Sequence, residues 1–161
     1  MLCFFLQKNI TIAKPSEILH SAFSALNKLK GENLMKKVLK TERAPGAIGP
    51  YSQGAFSDKL LFLSGQIALT AEGELRTDRG VAEQTELIMK NISALLAAAF
   101  LDFENIVKTT IFLTDMNDFD EVNGVYGQFF GEKPPARSTV AVAALPKGAR
   151  VEIECVAVLN T

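Results

Sequence analysis

The chain has 161 residues, 48% of them hydrophobic and 22% charged, which is the make-up of one globular domain with a sizeable core. A net charge of -1 gives no global field for nucleic acid or an anionic membrane surface, and no apolar run is long enough to span a bilayer. The single histidine is His20 and the two cysteines are Cys3 and Cys155, so a disulfide framework, a His-based triad and a zinc site of the usual ligand types are not expected.

Residues 1–34 differ from the rest. Pro15-Ser16-Glu17 opens a helical pattern with Ile18, Leu19, Ala22, Leu26 and Leu29 on one side, and Gly31 stops it. Four lysines against two glutamates give this segment +2, which leaves -3 for residues 35–161. The run Leu2-Cys3-Phe4-Phe5-Leu6 is too short for a signal-peptide core and lacks a preceding basic segment. The segment reads either as an organelle-targeting presequence, amphipathic and poor in acids though without arginine, or as an unprocessed or mis-started leader before Met35. The second reading is preferred.

From Met35 the pattern becomes regular. Lys37 to Thr41 reads as a short strand, followed by a Gly/Pro-punctuated loop, Ala44 to Gly54. Ala55–Ser57 and Lys59–Gln66 read as a hairpin about Ser57-Asp58. Residues 80–99 carry Val81, Ile88, Ile92, Leu95, Leu96 and Ala99 at helical spacing, and Ile106 to Thr114 is a β-branched strand. Asp118 to Glu121 caps a second helix with Phe119, Val122, Tyr126, Phe129 and Phe130 on one face. Two last strands, about 137–143 and 150–158, are linked by the turn Leu145-Pro146-Lys147-Gly148. The order β, β-β, α, β, α, β-β predicts a mixed sheet with both crossover helices on one face. Strands 60–63 and 140–143 are nevertheless apolar on both faces, so the other face needs a partner, and a homo-oligomer is expected.

Two prolines, Pro134 and Pro135, stiffen the approach to Arg137, which aims a guanidinium at the entrance of a strand. A lone arginine is more often a surface ion-pair partner, but a fork held at a rigid strand edge can grip a carboxylate with two bonds. Glu152 and Glu154 alternate with Val151, Ile153 and Cys155, so both share one strand face. Composition alone favours a solvated strand face; a proton-transfer role needs one of the two to be half buried. Tyr51, Ser64-Gly65-Gln66 and Asn123 offer a hydroxyl, backbone N–H groups and an amide to an anionic ligand; each also has a bland packing or solvent-facing reading.

Ile48-Gly49-Pro50-Tyr51-Ser52-Gln53-Gly54, Ser64-Gly65-Gln66-Ile67, Val107 to Leu113, Asn117-Asp118-Phe119 with Val122-Asn123, and Pro135-Ala136-Arg137-Ser138 together resemble the Rid family. More narrowly they resemble its RidA branch, the 2-imino/enamino acid deaminases, over about residues 36–159. The resemblance implies an α+β, chorismate-mutase-like (bacillus-type) mixed β-sheet with two helices on one face. It also implies a homotrimer with a central barrel and active sites between subunits. Residue by residue it implies carboxylate binding by Arg137, catalysis by Glu152 rather than Glu154, and substrate contacts from Tyr51, Ser64, Gly65, Asn123 and Thr139. Thr139 departs from the cysteine of many RidA proteins, and activity is expected to survive that change.

The implied reaction is hydrolysis of 2-aminoacrylate-type enamines and 2-imino acids to 2-keto acids and ammonia, with no metal or organic cofactor. The alternative is a non-catalytic metabolite-binding regulatory trimer, or a ribonuclease or translation-inhibitor-like role. No nucleic-acid or membrane partner is expected. A cytoplasmic site of action is expected, with organelle targeting through residues 1–34 as the alternative.

Overall fold

Apolar residues at alternate positions fix one face of the sheet as its core side. The computed structural model describes residues 36–160; the readings made for residues 1–34 lie outside the described residues. Strands β1 (Lys37–Leu39), β2 (Gly54–Ser57) and β3 (Leu60–Gln66) form an antiparallel meander. Helix α1 (Val81–Ala98) leads to β4 (Ile106–Leu113), helix α2 (Phe119–Gly127) leads to β5 (Ala136–Ala141), and β6 (Val151–Val158) ends the fold. The sheet order is β1-β2-β3-β6-β4-β5. β4 and β5 are parallel, and β6 lies antiparallel to both β3 and β4. Both helices are therefore crossovers between strands that run the same way, which puts them on the same side.

Leu61, Leu63, Ile111, Leu113, Val151, Ile153, Cys155 and Ala157 point into that side and are buried with Ile88, Ile92, Leu95 and Leu96 of α1. The alternate residues are left open: Leu60 is 36% exposed, Phe62 44% and Val140 42%. This mixed α+β sheet with one covered face is the architecture the sequence predicts.

Two details differ. β5 stops at Ala141 and forms the sheet edge, so the strand expected to be buried on both sides is largely exposed within one chain. The turn at Leu145–Gly148 does not close a hairpin either, because β4 lies between β5 and β6. The chain instead passes around the end of β4, where the Val142 N–H donates to Leu113 O and the Thr114 N–H to Arg150 O. Arg150 anchors the entry into β6. Its guanidinium pairs with the buried Asp118 carboxylate through Nε (3.1 Å) and Nη2, and its N–H donates to Gln84 Oε1 of α1 at 3.1 Å.

α1 ends in a Schellman arrangement: the Leu101 N–H bonds Leu96 O at 2.9 Å and the Phe100 N–H bonds Ala97 O at 3.1 Å. The left-handed position of this motif normally belongs to glycine, yet Phe100 occupies it at φ 59° with 77% of its surface exposed. Phe100→Gly is therefore expected to stabilise the fold by about 1 kcal/mol, a rise of a few degrees in thermal midpoint. Differential scanning calorimetry checks it, and an unchanged or lower midpoint contradicts it.

Candidate active site

The site starts from an irregularity in β3. Its pairing with β6 shifts register between Leu63 and Gln66, which lifts Ser64 and Gly65 out of the ladder. The Ser64 N–H donates to Gln53 O (3.1 Å) and its hydroxyl to Ser52 O (2.7 Å), while Gln66 Nε2 ties back to Ser64 O (2.9 Å). The bulged backbone presents the bare Cα of Gly65 to Glu152 of β6. A methyl group there would lie 1.9 Å from Glu152 Oε1 and 2.7 Å from its carboxyl carbon, so only glycine admits the carboxylate in this position.

Glu152 and Glu154 share the face turned away from the helices, as alternation predicts, with Glu152 the more buried of the two. Burial raises the Glu152 pKa above the ordinary 4.5, and the charge of Glu154 adds to the effect. Glu152 lines a cleft of about 320 Å³ together with Tyr51, Ser64, Gly65, Ile48 and Pro146. The Tyr51 hydroxyl accepts from the Ile48 N–H at 3.3 Å, which folds the ring back over its own loop. Four predicted residues, Tyr51, Ser64, Gly65 and Glu152, thus come together. The hydroxyl proton of Ser64 is already committed to Ser52 O, so its free role is as an acceptor.

Arg137, Asn123 and Thr139 form a second cluster. Arg137 stands in register with Thr109 of β4, which in turn pairs with Cys155 of β6. Cys155 and Glu152 are three residues apart on one strand and so face opposite ways. Arg137 accordingly points to the helix side and Glu152 to the open side, with β4 between their strands. A single chain does not bring the guanidinium and the carboxylate together.

The Arg137 side chain is nonetheless held in place. Its Nη1 donates to Asn123 Oδ1 at 2.7 Å, and its guanidinium carbon lies 5.0 Å from the centre of the Tyr126 ring and 5.7 Å from that of Phe119. No carboxylate among the described residues forms an ion pair with it. The Tyr126 hydroxyl is paired with Thr109 Oγ1 at 2.8 Å. Burial raises the Tyr126 pKa, against the opposing effects of that hydrogen bond and of the Arg137 charge. Thr139, two residues beyond Arg137 on the same strand face, has a buried hydroxyl with no partner among the described residues.

The aromatic seat of Arg137 escapes a sequence reading because Phe119 and Tyr126 fit the core stripe of α2 equally well. Gln53 is also missed, although a glutamine inside a Gly/Pro loop needs partners once it is buried. Cys155 is buried, and burial together with Glu154 pushes its thiol up to about 12, so it is no nucleophile. The described residues contain no group of three or more His, Cys, Asp or Glu arranged to hold a metal ion. No helix among them is long and apolar enough to cross a membrane.

Comparison with known proteins places this geometry in a family. The family described as Endoribonuclease L-PSP matches residues 41–159. A human 2-iminobutanoate/2-iminopropanoate deaminase is 48% identical over 126 residues, 78% of this chain and 92% of that protein. The chloroplastic Reactive Intermediate Deaminase A of Arabidopsis thaliana is 44% identical over 137 residues, 85% of this chain and 73% of that protein. The crystal structure of Escherichia coli TdcF with bound serine superposes with a TM-score of 0.72 at 45% identity, covering 77% of this chain and 99% of that one. The chain belongs to the Endoribonuclease L-PSP family, among its reactive-intermediate (Rid) deaminases.

Proposed function

We propose that the protein hydrolyses reactive 2-imino acids, and the enamines that tautomerise to them, to 2-keto acids and ammonia. The observation that carries the assignment of roles is the half-buried Glu152 carboxylate, held against Gly65 in a cleft and raised in pKa. The relatives' deaminase names supply the reaction class.

Arg137 binds the substrate carboxylate through the edge of its fork that Asn123 leaves free. Glu152 takes a proton from water as the water oxygen bonds to the imine carbon and the C=N π pair moves to nitrogen. The same carboxyl then protonates that nitrogen. Glu152 then passes the hydroxyl proton to the amine nitrogen, the C–N bond breaks with its electron pair leaving on nitrogen, ammonia departs, and the oxygen becomes the ketone. Tyr51, Ser64, Gly65 and Thr139 shape the pocket around the reacting carbon. Chemistry of this kind needs no organic cofactor, because a C=N carbon is already electrophilic.

Arg137 and Glu152 lie on opposite sides of one sheet, so we propose that the working site joins Arg137 of one copy to Glu152 of another in a homotrimer. The exposed Leu60, Phe62 and Val140 on the helix-free face support this assembly, because a partner's sheet would cover them. The deaminase domain is proposed to span residues 35–161, with residues 1–34 as an extension and a cytoplasmic site of action. RNA cleavage is disfavoured by the absence of histidine from residues 35–161 and by their net charge of -3.

Three measurements test the roles. Arg137→Ala is expected to lower kcat/KM for ammonia release from freshly generated 2-iminopropanoate by about 100-fold, with Arg137→Lys recovering only part of it. Equal rates for Arg137→Ala and the wild-type protein reject the assignment. Gly65→Ala is expected to displace the Glu152 carboxylate and cut kcat by about 100-fold while the far-ultraviolet circular dichroism stays native; full activity in that variant contradicts the assigned contact.

The third test is the pH profile. The Glu152 pKa is raised, so the folded protein favours its protonated form. The stability this lends is present below the ordinary 4.5 and is lost as pH rises through the raised value. Glu154→Gln removes the smaller cause of the shift, the neighbouring negative charge, so the acid limb of kcat/KM should move to lower pH. A limb that stays in place, or moves upward, excludes Glu152 as the titrating base.

A further inference from the structure

We propose that Gln53 is a positioning residue that shapes the substrate pocket by clasping the loop opposite Glu152. Residues 40–53 contain no helix or strand, yet Ile48 and Tyr51 in this stretch form a wall of the cleft. A loop of this length needs something to hold its shape.

Within it, the hydrogen bonds of Tyr51 and Arg43 are local: Tyr51 N–H to Gly49 O, Ile48 N–H to the Tyr51 hydroxyl, and Arg43 N–H to Thr41 Oγ1. Gln53 alone among the described side chains of this stretch joins the loop's beginning to its end. Its Oε1 accepts the Thr41 N–H at 2.8 Å. Its Nε2 lies within donating distance of Thr41 O (3.0 Å), Ala44 O (3.2 Å) and Pro45 O (2.8 Å). The side chain is buried, so these bonds are shielded from competing water. The Gln53 carbonyl meanwhile accepts from the Ser64 N–H, one residue before Gly65. One residue therefore connects the Tyr51 wall to the backbone that cradles Glu152.

An amide is the group that fits. It accepts from one N–H and donates to carbonyls in the same plane, which neither a carboxylate nor an aliphatic side chain can do. A carboxylate would still accept from Thr41 N–H but would face three carbonyl oxygens with no proton to offer. Gln53→Glu should therefore release the loop and leave the sheet in place. Glu152 sits on β6 and keeps its position, so the loss falls on substrate binding more than on the chemical step.

The inference rests on the deaminase assignment, and the experiment separates the two. For Gln53→Glu, amide hydrogen exchange across residues 41–52 should rise at least about tenfold relative to wild type, while β4 and β6 stay protected. In steady-state assays with 2-iminopropanoate, KM should rise about tenfold with kcat within about threefold. Should Gln53→Glu fail to fold, Gln53→Met, which removes the hydrogen bonds without adding charge, carries the same expectations.

Unchanged loop exchange overturns the clasp. Faster loop exchange with KM unaltered, or kcat falling in step with KM, overturns its role in shaping the pocket. A wild-type protein without turnover refutes the deaminase assignment, while the exchange measurement still decides whether Gln53 holds the loop.

Discussion

The approach of Glu152 to a residue without a side chain is the constraint on which the site depends. The carboxylate occupies the volume where any Cβ on residue 65 would stand. Glycine is needed there for close approach rather than for an unusual backbone angle. That approach also explains the bulge. Had β3 continued its ladder through Ser64 and Gly65, this stretch would stay paired in regular register along β6. Slipping the register opens the cleft floor, and Gln53 O and the amide of Gln66 take up the Ser64 N–H and carbonyl that leave the ladder. Half burial suits the proposed chemistry: a carboxylate with fewer waters around it holds its proton more tightly and exchanges it nearer neutral pH.

In its proposed role Arg137 faces the opposite problem, since a guanidinium that is to bind an anion must stay charged, aimed and unsatisfied until the anion arrives. Asn123 takes up one N–H with a neutral oxygen, which orients the fork without cancelling its charge as a carboxylate would. The Tyr126 and Phe119 rings hold its flat face by cation–π attraction. Lysine could not use this seat in the same way, because its charge is a point on a flexible stem. The bond between the Tyr126 hydroxyl and Thr109 fixes the ring itself, so the seat traces back to β4, the strand against which β5 is paired.

Much of this was legible in the residues. Alternation in Val151 to Cys155 placed Glu152 and Glu154 on one face, and helical spacing found both helices and the side they cover. What alternation could not yield was the lateral order of strands. Leu145 to Gly148 looks like a hairpin turn, and nothing local says that β4 will insert between the strands it joins. That order decides on which side Arg137 emerges, so spacing and alternation did not reveal its separation from Glu152; only the resemblance, with its active sites between subunits, implied it. Long-range partners were equally hidden. Gln53 reads as an ordinary polar residue and Asn123 as a candidate ligand contact, and the partners each one finds are groups brought near by the fold.

A fold with its cation on one side of a sheet and its base on the other has a physical advantage for this chemistry. If both charges shared one small cleft in the free chain, they would pair with each other, and substrate would have to break that ion pair to enter. Here the two are kept apart within the chain: Arg137 rests on neutral partners, and Glu152 remains partly desolvated, its pKa raised by burial and by Glu154. In the proposed trimer they would meet only across a seam, at a distance set by rigid sheets rather than by mutual attraction. Substrate, negative at its carboxylate and electrophilic at its imine carbon, would then satisfy both groups at once. Keeping each charge uncompensated until that moment makes binding energy available for orienting the reacting carbon. The absence of histidine from residues 35–161 is consistent with this division of labour, because in the proposed roles a raised carboxyl would supply the proton transfer and a guanidinium the anchoring that the hydrolysis requires.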